Sequence, residues 1–383
     1  MRIKIKFKNK NSLKTVLFIH QSAELYGSDK TLLFLLKELD RSKISPLVVL
    51  PEEGPLKNAI EHENIEVVIA PVLKLHRNIF KPKNLFNFIK DFFKGTTILK
   101  DIIKSKNVDI IYSNTLAVLL GFVTAKRHKV SHFWHVHEII ESPSLIKALY
   151  RFLLNANTNS LVLFNSYATQ KFWNVTSKNV VVWNGIKPFS NLKTEDSNSK
   201  QHLKIALVGR ISRWKGQQLL LDAFYNIQKS NLNVELYFVG SAPPNQEHFL
   251  TQLQHKIKDL DLVDKVKIIP FQKDIESVWK SIDIAVVPST EPEPFGMVAI
   301  EAMMAAKPVI GANHGGLKEI IIPNETGLLF IPNNQKDLEN CLEKLILDKA
   351  LREAFGKEGL KRASNVFSVN KYSRTIEDLL QTV

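Results

Sequence analysis

Short, continuous runs of apolar residues alternate along this chain with longer segments in which apolar and polar positions follow a helical spacing. Continuous apolar runs bounded by turn residues are typical of strands buried on both faces of a parallel sheet. Segments such as Thr31 to Leu39 and Leu116 to Lys126 supply the crossover helices. In the first half of the chain the predicted strands are Thr15 to His20, Leu47 to Leu50, Val67 to Ala70, Val108 to Tyr112, His132 to Val136, Leu161 to Phe164 and Val180 to Trp183.

The pattern is interrupted between Pro188 and Gln201, where apolar runs vanish and small polar and acidic residues cluster. Such a stretch predicts a linker. The alternation then resumes, which indicates a second parallel sheet. Its predicted strands are Leu203 to Val208, Val234 to Val239, Val266 to Ile269, Ile284 to Val287 and Pro308 to Gly311.

A chain of 383 residues exceeds what one hydrophobic core usually organises. We therefore predict an α/β protein with two Rossmann-like parallel-sheet domains that face each other across a cleft. The first domain spans residues 1–188, the linker 189–202 and the second domain 203–365. Residues 366–383 include a helical pattern from Ser368 to Leu380 and are expected to pack back towards the first domain.

The composition is that of an ordinary globular protein, with 44% hydrophobic and 23% charged residues. The lone Cys341 excludes an intramolecular disulfide and a cysteine-based metal site, and it fits a reducing compartment. The segment from Met1 to Lys14 is basic but lacks the apolar run of a signal peptide, and no later stretch holds about 18 uncharged apolar residues. We expect a cytoplasmic protein, soluble or peripheral at the inner face of the cell membrane.

The formal net charge of +14 indicates an anionic partner. Basic residues alternate with phenylalanines on a predicted helix within Lys74 to Lys106, which is typical of a helix that lies on an anionic membrane surface. A core helix with a solvated lysine face is the alternative. No recognisable module indicates nucleic acid as a partner. The residues are Arg77, Lys81, Lys83, Lys90, Lys94, Lys100 and Lys104, with Phe80, Phe86, Phe88, Phe92 and Phe93.

The turn after the Leu203 to Val208 run carries three cations, and ligands in such sheets bind beyond the carboxyl ends of the strands. This turn runs from Gly209 to Gly216 and includes Arg210 and Lys215. A guanidinium can bind two phosphate oxygens at once and an ammonium adds a compact charge, so the turn is suited to a departing nucleotide diphosphate. A solvated basic turn without function is the alternative.

Two carboxylates follow the Ile284 to Val287 run, with Glu293 before a predicted helix and Glu301 nearly two turns into it. Gly296 lacks a side chain, so a phosphate can approach the N–H groups at the helix start. We expect Glu293 to accept hydrogen bonds from the transferred sugar and Glu301 from the ribose. An acidic residue at a helix start is ordinarily only dipole compensation, but the upstream Arg and Lys favour a site. The predicted donor-binding residues here are Phe295, Gly296 and Met297.

This combination resembles glycosyltransferase family 4, whose members are retaining, nucleotide-sugar-dependent enzymes of the GT-B fold. The resemblance covers most of residues 203 to 331. It implies that the second domain binds the nucleotide and the first binds the acceptor. The matching residues are Gly209-Arg210, Lys215-Gly216, Glu293 to Gly296, Glu301-Ala302, Pro308 to Ile310, Gly315 to Ile320 and Asn324 to Leu329.

The first domain is similar to family 4 in fewer places. The resemblance implies that Gly27 and Ser28 approach the diphosphate or the acceptor and that His137 lies beside the sugar ring. His135 competes for this role, and we expect the two imidazoles to lie on opposite faces of the extended segment. The similar residues are Glu24 to Ser28, His137-Glu138, Asn165-Ser166 and Trp183 to Ile186.

The cluster of His135, His137 and Glu138 also suggests a zinc site, which we reject because no third ligand is evident. No pair of aspartates of the kind that metal-dependent transferases use follows a strand. The resemblance implies that Arg210 and Lys215 neutralise the diphosphate without a divalent ion. We therefore expect no metal and no cofactor, with the nucleotide sugar as co-substrate.

The predicted reaction moves a hexose or N-acetylhexosamine from a nucleoside diphosphate sugar to a hydroxyl of a saccharide acceptor. We favour UDP over GDP and expect a lipid-linked acceptor in bacterial surface polysaccharide synthesis. No carboxylate nucleophile is evident for a double displacement, so we expect attack on the face that the nucleotide leaves, with retention.

Three other classes of protein are the alternatives to a glycosyltransferase. A nicotinamide-dependent oxidoreductase would need a Gly-x-Gly-x-x-Gly turn, which neither the residues after His20 nor those after Gly209 provide. A sugar-nucleotide epimerase would convert the donor without an acceptor. A non-catalytic nucleotide-sugar binder also remains open, although it would not require Arg210, Lys215, Glu293 and Glu301 together.

Overall fold

A computed structural model of the chain describes residues 13–25, 27–73, 82–190, 202–230 and 232–383, with the backbone alone at 82–85. The described residues form two compact units, one drawn from Met1–Gly185 and Val369–Val383 and the other from Ile186–Ser368. The predicted linker lies outside the described residues from position 191 to 201, as does the basic amino-terminal segment up to residue 12.

Strands and helices alternate along the first unit. They are β1 (Lys14–His20), α1 (Gly27–Glu38), β2 (Ile44–Leu50), α2 (Pro55–Glu61), β3 (Val67–Ile69), α3 (Pro82–Lys106), β4 (Ile110–Asn114), α4 (Leu119–His128), β5 (Ser131–Val136), α5 (Ser144–Leu154), β6 (Asn159–Phe164), α6 (Tyr167–Trp173) and β7 (Asn179–Val181). The second unit contains β8 (Leu203–Val208), α7 (Gln217–Gln228), β9 (Val234–Val239), α8 (His248–Asp259), β10 (Val266–Ile269), α9 (Ile275–Ser281), β11 (Ile284–Val287), α10 (Met297–Met304), β12 (Val309–Ala312), α11 (Leu317–Ile320), β13 (Gly327–Phe330), α12 (Gln335–Leu347) and α13 (Lys349–Val366). The chain then returns to the first unit with α14 (Val369–Leu380).

The sheet of the first unit is parallel throughout, in the order β3-β2-β1-β4-β5-β6-β7. Its interior strand β1 is apolar from Val16 to Ile19 because Val16 and Phe18 pack into one core cluster and Leu17 and Ile19 into another. The chain order reverses between β1 and β4. Such a reversal opens a crevice at the carboxyl ends of the two strands, where ligands bind in open α/β sheets.

The sheet of the second unit is also parallel, in the order β10-β9-β8-β11-β12-β13. Its reversal lies between β8 and β11. The turns after these two strands are the ones in which the sequence predicts the phosphate and sugar contacts, so the topology alone brings the two motifs to the same crevice.

The predicted strands are all present, with ends shifted by a few residues, and the structure adds β13, which was not predicted. Four residues, Gly327–Phe330, are too short a run to distinguish a strand from a loop by periodicity. Strand β4 runs two residues beyond its predicted end because Ser113 and Asn114, although polar, are buried and pair with β5.

Helix α14 packs against α1 and shares its core cluster. Tyr372, Ile376 and Leu380 are buried there. The Glu377 carboxylate accepts a hydrogen bond from the backbone N–H of Asp40 at 3.0 Å and lies 2.7 Å from Nζ of Lys43. The last helix is therefore an integral part of the first unit.

Helix α3 accounts for only part of the predicted aromatic and basic segment. Arg77, Phe80 and Lys81 lie outside the described residues, as does the side chain of Lys83. Phe88 and Phe92 pack against the core, whereas Phe86 and Phe93 are 70% and 62% exposed. Within the described ranges, every helix is either too short or too polar to cross a bilayer.

Candidate active site

The turns that follow β8 and β11 touch each other in the second unit. Nζ of Lys215 lies 2.6 Å from Oε1 of Glu293, which is 78 residues further along the chain. Glu293 is 4% exposed, and the same oxygen accepts a hydrogen bond from the Ser289 hydroxyl. The ammonium also lies 4.2 Å from the centre of the Trp214 ring. The sequence analysis predicts that Lys215 contacts the diphosphate and that Glu293 contacts the transferred sugar. The structure brings these two side chains into direct contact.

The other two cations of this turn differ from Lys215. Arg213 pairs with Glu291, and both side chains are largely exposed. The Arg210 side chain is exposed and has no hydrogen-bond or ion-pair partner among the described residues. Its backbone carbonyl accepts from Nε2 of Gln217 at 2.9 Å, which fixes the turn to the start of α7. Arg210 is consequently the cation of this turn that is available to an anionic ligand.

A third turn, after β12, closes against Glu293. The backbone N–H of Gly316 donates to the Glu293 carbonyl at 2.8 Å. Gly315 has a φ of 58°, and a Cβ at this position would lie 2.3 Å from the carbonyl oxygen of Glu293 and 2.6 Å from its nitrogen. Nε2 of His314 donates to the Ser289 carbonyl at 2.8 Å. Glycine is required here because the two backbones touch.

Helix α10 begins at Met297 directly after Gly296, which caps it. The first N–H groups of a helix lack intrahelical partners and attract anions. Phe295 is 3% exposed and its ring packs against Phe367, so only its backbone is left for a ligand. Glu301 is half-buried and lies about one turn into the helix rather than nearly two, since α10 starts later than the sequence suggested.

A chain of hydrogen bonds crosses the reversal point of the first sheet. Oδ1 of Asp29, in the first turn of α1, lies 2.7 Å from Nε2 of His20 at the end of β1. Nδ2 of Asn114, at the end of β4, lies 2.9 Å from Nδ1 of His20. Oδ1 of Asn114 lies 3.0 Å from Nε2 of His137, just beyond β5. His20, Asp29 and Asn114 are all buried.

The two histidines of the His135-Val136-His137 segment lie on the same face, so the expectation of opposite faces was wrong. Their ring centroids are 4.0 Å apart, because side chains two residues apart in a strand point the same way. Nδ1 of His135 lies 2.7 Å from the Tyr112 hydroxyl and the ring is fully buried. Burial lowers the pKa of His135 to about 3. His135 is thus a core residue, whereas His137 is only partly buried.

Burial also shifts the pKa values of the neighbouring ionisable groups, because it removes water from their charged forms. Burial, followed by the proximity of His135 and His20, lowers the pKa of His137 well below its ordinary value, so its imidazole is neutral near pH 7. For Glu138, burial raises the pKa to about 7, although its carboxylate accepts backbone hydrogen bonds from Leu116 at 3.1 Å and His137 at 3.0 Å. Among the described residues, no three His, Cys, Asp or Glu side chains form a group that could hold a metal ion.

Glu138 makes the stability of the protein depend on pH. Its pKa rises from 4.5 to about 7 on folding, so the folded state binds this proton more tightly than the unfolded state does. The stability contributed by the group therefore falls as pH rises from about 4.5 to about 7 and stays low above that range. We expect Glu138→Gln to flatten the decline of Tm over this interval. Parallel Tm profiles of the variant and the wild type would contradict this, and Glu141→Gln, an exposed neighbour, is the control.

Gly27 and Ser28 form the start of α1, directly before Asp29. A Cβ at Gly27 would meet nothing within 4 Å. We therefore expect Gly27→Ala to leave Tm within about 1 °C, since a surface substitution without a clash is nearly neutral. If a diphosphate or acceptor approaches this backbone, the same variant lowers kcat/KM about tenfold or more. Unchanged kinetics with a folded Gly27→Ala protein would remove Gly27 from the site.

The sequence did not identify several residues that the structure places among the predicted ones. Asp29, His20 and Asn114 form a chain of hydrogen bonds that ends at His137, and the Ser289 hydroxyl donates to Glu293. His20 and Asn114 are polar residues at the last position of their strands, and Ser289 follows β11 closely. A buried polar residue at the carboxyl end of a parallel strand is the signal that could have identified them.

Comparisons with known proteins concern the family and the fold of the chain. Residues 190–362 match the family model described as glycosyl transferases group 1. An uncharacterized glycosyltransferase of Methanocaldococcus jannaschii is 28% identical over 84% of each chain. The capsular polysaccharide biosynthesis glycosyltransferase CapM of Staphylococcus aureus is 30% identical, and the match spans 50% of each chain. The crystal structure of Anabaena HepE in complex with UDP-glucose is 25% identical, with a TM-score of 0.80 over 96% of this chain and 100% of the other.

Two parallel-sheet α/β units with these neighbours define a glycosyltransferase of the GT-B fold. The chain is similar to the group 1 glycosyltransferases over nearly the whole of its second unit.

Proposed function

We propose that this glycosyltransferase transfers a hexose or N-acetylhexosamine from a UDP sugar to a hydroxyl of a saccharide acceptor. The observation that carries the proposal is the buried contact between Lys215 and Glu293 beside the unpaired Arg210. Two cations and a carboxylate thus lie in the turns that follow β8 and β11, the strands on either side of the sheet's reversal. The donor assignment is supported by HepE, which was crystallised with UDP-glucose and aligns over the whole length of its chain.

Each group has a separate task in this proposal. Arg210 and Lys215 offset the charge that develops on the departing diphosphate, and the first N–H groups of α10 bind a phosphate oxygen. Glu293 accepts hydrogen bonds from hydroxyls of the transferred sugar, and Glu301 accepts them from the ribose. Two protein cations and a helix terminus supply this stabilisation without a divalent ion, so the reaction is metal-independent.

We further propose that the anomeric configuration is retained. Lys215 and Ser289 both bond to Oε1 of Glu293, and we assign its other oxygen to the hydroxyls of the transferred sugar rather than to the anomeric carbon, so no carboxylate is left as the nucleophile of a double displacement. The acceptor hydroxyl then attacks from the face that the diphosphate leaves. NMR of the product shows the anomer directly, and an inverted product would refute this part.

Calorimetry in EDTA tests the donor assignment. We expect UDP to bind more tightly than GDP without metal, and Arg210→Ala and Lys215→Met each to weaken UDP binding about tenfold or more, as charge-assisted phosphate contacts contribute about 1.5–3 kcal/mol. Arg213→Ala is the matched control, because this cation of the same turn pairs with an exposed glutamate. Equal losses in all three variants, or none, would contradict the site.

The alternatives are separated by a turnover assay. A sugar-nucleotide epimerase would consume the UDP sugar without an acceptor and release no UDP. A non-catalytic binder would bind the donor and release nothing even with acceptor present. Release of UDP that depends on a saccharide acceptor supports the transferase.

We propose that the acceptor is lipid-linked and that the first unit contacts an anionic membrane surface, as part of bacterial surface polysaccharide synthesis. The similarity to CapM supports the pathway. The surface itself is suggested by α3, where Phe86, Ile89 and Phe93 are exposed beside exposed Lys90 and Lys94. Apolar side chains flanked by lysines suit the boundary between headgroups and acyl chains.

Helix α5 adds a second exposed apolar ridge. Leu145 and Phe152 are 73% and 74% exposed, and Leu149 lies between them on the same helical face. Lys147 and Arg151 are the charged residues of this helix, which carries no acidic residue. Helix α4 shares one core cluster with α3 and another with α5. The exposed apolar residues of α3 and α5 therefore belong to one layer of helices.

Sedimentation with vesicles tests this surface. We expect binding to vesicles that contain phosphatidylglycerol and much weaker binding to neutral phosphatidylcholine. Replacing Leu149 and Phe152 together by Glu should abolish the binding, whereas Val263→Glu, at an exposed apolar residue of the second unit, should not. Binding that ignores lipid charge, or that survives the double substitution, would refute the membrane contact.

A further inference from the structure

The direction of each hydrogen bond between Asp29 and His137 can be worked out from chemistry. A carboxylate only accepts, so the 2.7 Å contact between Asp29 and Nε2 of His20 requires a proton on that nitrogen. In a neutral ring Nδ1 is then an acceptor. Its nearest polar neighbour is the amide nitrogen of Asn114 at 2.9 Å, which donates to it. The backbone carbonyl of Asn114 lies further away, at 3.3 Å, and as an acceptor it makes no hydrogen bond to a bare nitrogen.

The orientation of the Asn114 amide follows from this step. With its nitrogen towards His20, its oxygen points at Nε2 of His137, 3.0 Å away. An amide oxygen only accepts, so Nε2 of His137 carries the proton and Nδ1 is bare. Among the described residues nothing bonds to this Nδ1, and the residue is only partly buried.

We propose that Asp29, His20 and Asn114 are positioning residues that fix the tautomer of His137, so that its Nδ1 accepts a hydrogen bond from a hydroxyl of a bound saccharide. Asp29 thus determines which nitrogen of His137 carries the proton, although it contacts His20 and not His137. The kinetic part of this inference rests on the proposed function, whereas the tautomer does not.

The surroundings favour a fixed tautomer. Asp29 is buried in the first turn of α1, where the helix dipole stabilises a carboxylate, and the Ser22 hydroxyl lies 3.5 Å from its other oxygen. His20 is fully buried and Asn114 is 2% exposed, so water has little access to compete for the bonds. A neutral imidazole with one bare nitrogen distinguishes a hydroxyl from an acceptor-only group such as a carboxylate.

Long-range 1H–15N correlation on the full-length protein labelled at histidine reads which ring nitrogen carries the proton. The His137 signals are assigned by their loss in His137→Gln. We expect the unliganded wild type to carry the His137 proton on Nε2. In Asp29→Ala the His20 tautomer and the Asn114 amide are free to reverse, so we expect a mixture of the two His137 tautomers.

Two changes at Asn114 keep the inference testable if Asp29→Ala does not fold. Asn114→Asp supplies an oxygen that still accepts from Nε2 of His137, so the wild-type tautomer should persist although the link to His20 is altered. Asn114→Leu removes the acceptor, and the mixture should appear. Asp109→Ala is the control, because Asp109 accepts from the N–H of Thr15 at the other end of the sheet and should leave His137 unchanged.

Kinetics separate this inference from the proposed function. We expect Asp29→Ala to lower kcat/KM about tenfold, roughly the worth of one hydrogen bond, while UDP affinity stays unchanged. A wild-type His137 with its proton on Nδ1, or one whose tautomer ignores Asp29, would overturn the positioning role even in an active enzyme. The expected tautomers in a protein that transfers no sugar would instead refute the function alone.

Discussion

Glu293→Gln is expected to lower kcat/KM by about 10²- to 10³-fold, the cost of removing one preorganised electrostatic contact such as an oxyanion-hole donor, without weakening UDP binding. Glutamine keeps the size of the side chain and can still accept the hydrogen bond from Ser289. It no longer neutralises Lys215, whose ammonium lies 2.6 Å from the carboxylate. The freed cation is then fully available to the diphosphate, so UDP affinity should stay the same or rise while turnover falls.

The matched control for this prediction lies two residues away. Glu291 also pairs with a cation of the turn after β8, but that pair is exposed, and exposed pairs contribute little. Glu291→Gln should therefore change neither kcat/KM nor UDP affinity by more than about twofold. Initial rates at varied UDP sugar, together with calorimetry of UDP, measure both quantities. Weaker UDP binding in Glu293→Gln, or equal effects at the two glutamates, would contradict the division of roles.

Gly315→Ala is expected to reduce both stability and donor binding. Its φ of 58° is strained for alanine, and the new Cβ would lie 2.3 Å from the Glu293 carbonyl oxygen. Backbone strain and overpacking each cost about 1–3 kcal/mol, so we expect a loss of about 2–6 kcal/mol in unfolding free energy. Because the clash pushes on the backbone of Glu293, kcat/KM should fall together with Tm.

Gly359→Ala provides the comparison for Gly315→Ala. Gly359 lies inside α13, and a Cβ there would make an ordinary contact, 3.4 Å from Cγ of Met303. Alanine in a helix interior is favoured over glycine by about 0.5–1 kcal/mol, so Tm should stay the same or rise and activity should not change. Denaturant unfolding of both variants measures the difference. A Gly315→Ala protein as stable as the wild type would show that the β12 turn can move away from Glu293.

The fold could be predicted from the sequence because burial on both faces leaves a direct mark. Strand β1, for example, has to be apolar at every position from Val16 to Ile19. The second-unit site could also be predicted, since its charged residues follow strands whose carboxyl ends meet. The contact between Lys215 and Glu293 could not, because a spacing of 78 residues contains no information about which atoms meet.

The hydrogen bonds around His137 were missed for a different reason. His20, Asn114 and His137 come together because the strand order places β1 beside β4 and β4 beside β5, and local periodicity does not specify that order. The error over His135 and His137 was avoidable, since residues two apart in a strand always share a face. Strand β13 was not predicted because a run of four residues is too short to show a strand periodicity.

The return of α14 to the first unit also determines the order of events during synthesis. Tyr372, Ile376 and Leu380 complete the core beside α1, but they follow the entire second unit along the chain. The first unit is therefore the first to leave the ribosome and the last to finish folding. Until then the α1 surface that α14 covers stays exposed to water, so a nascent chain halted before Val369 should be a better chaperone client than one that extends past Leu380.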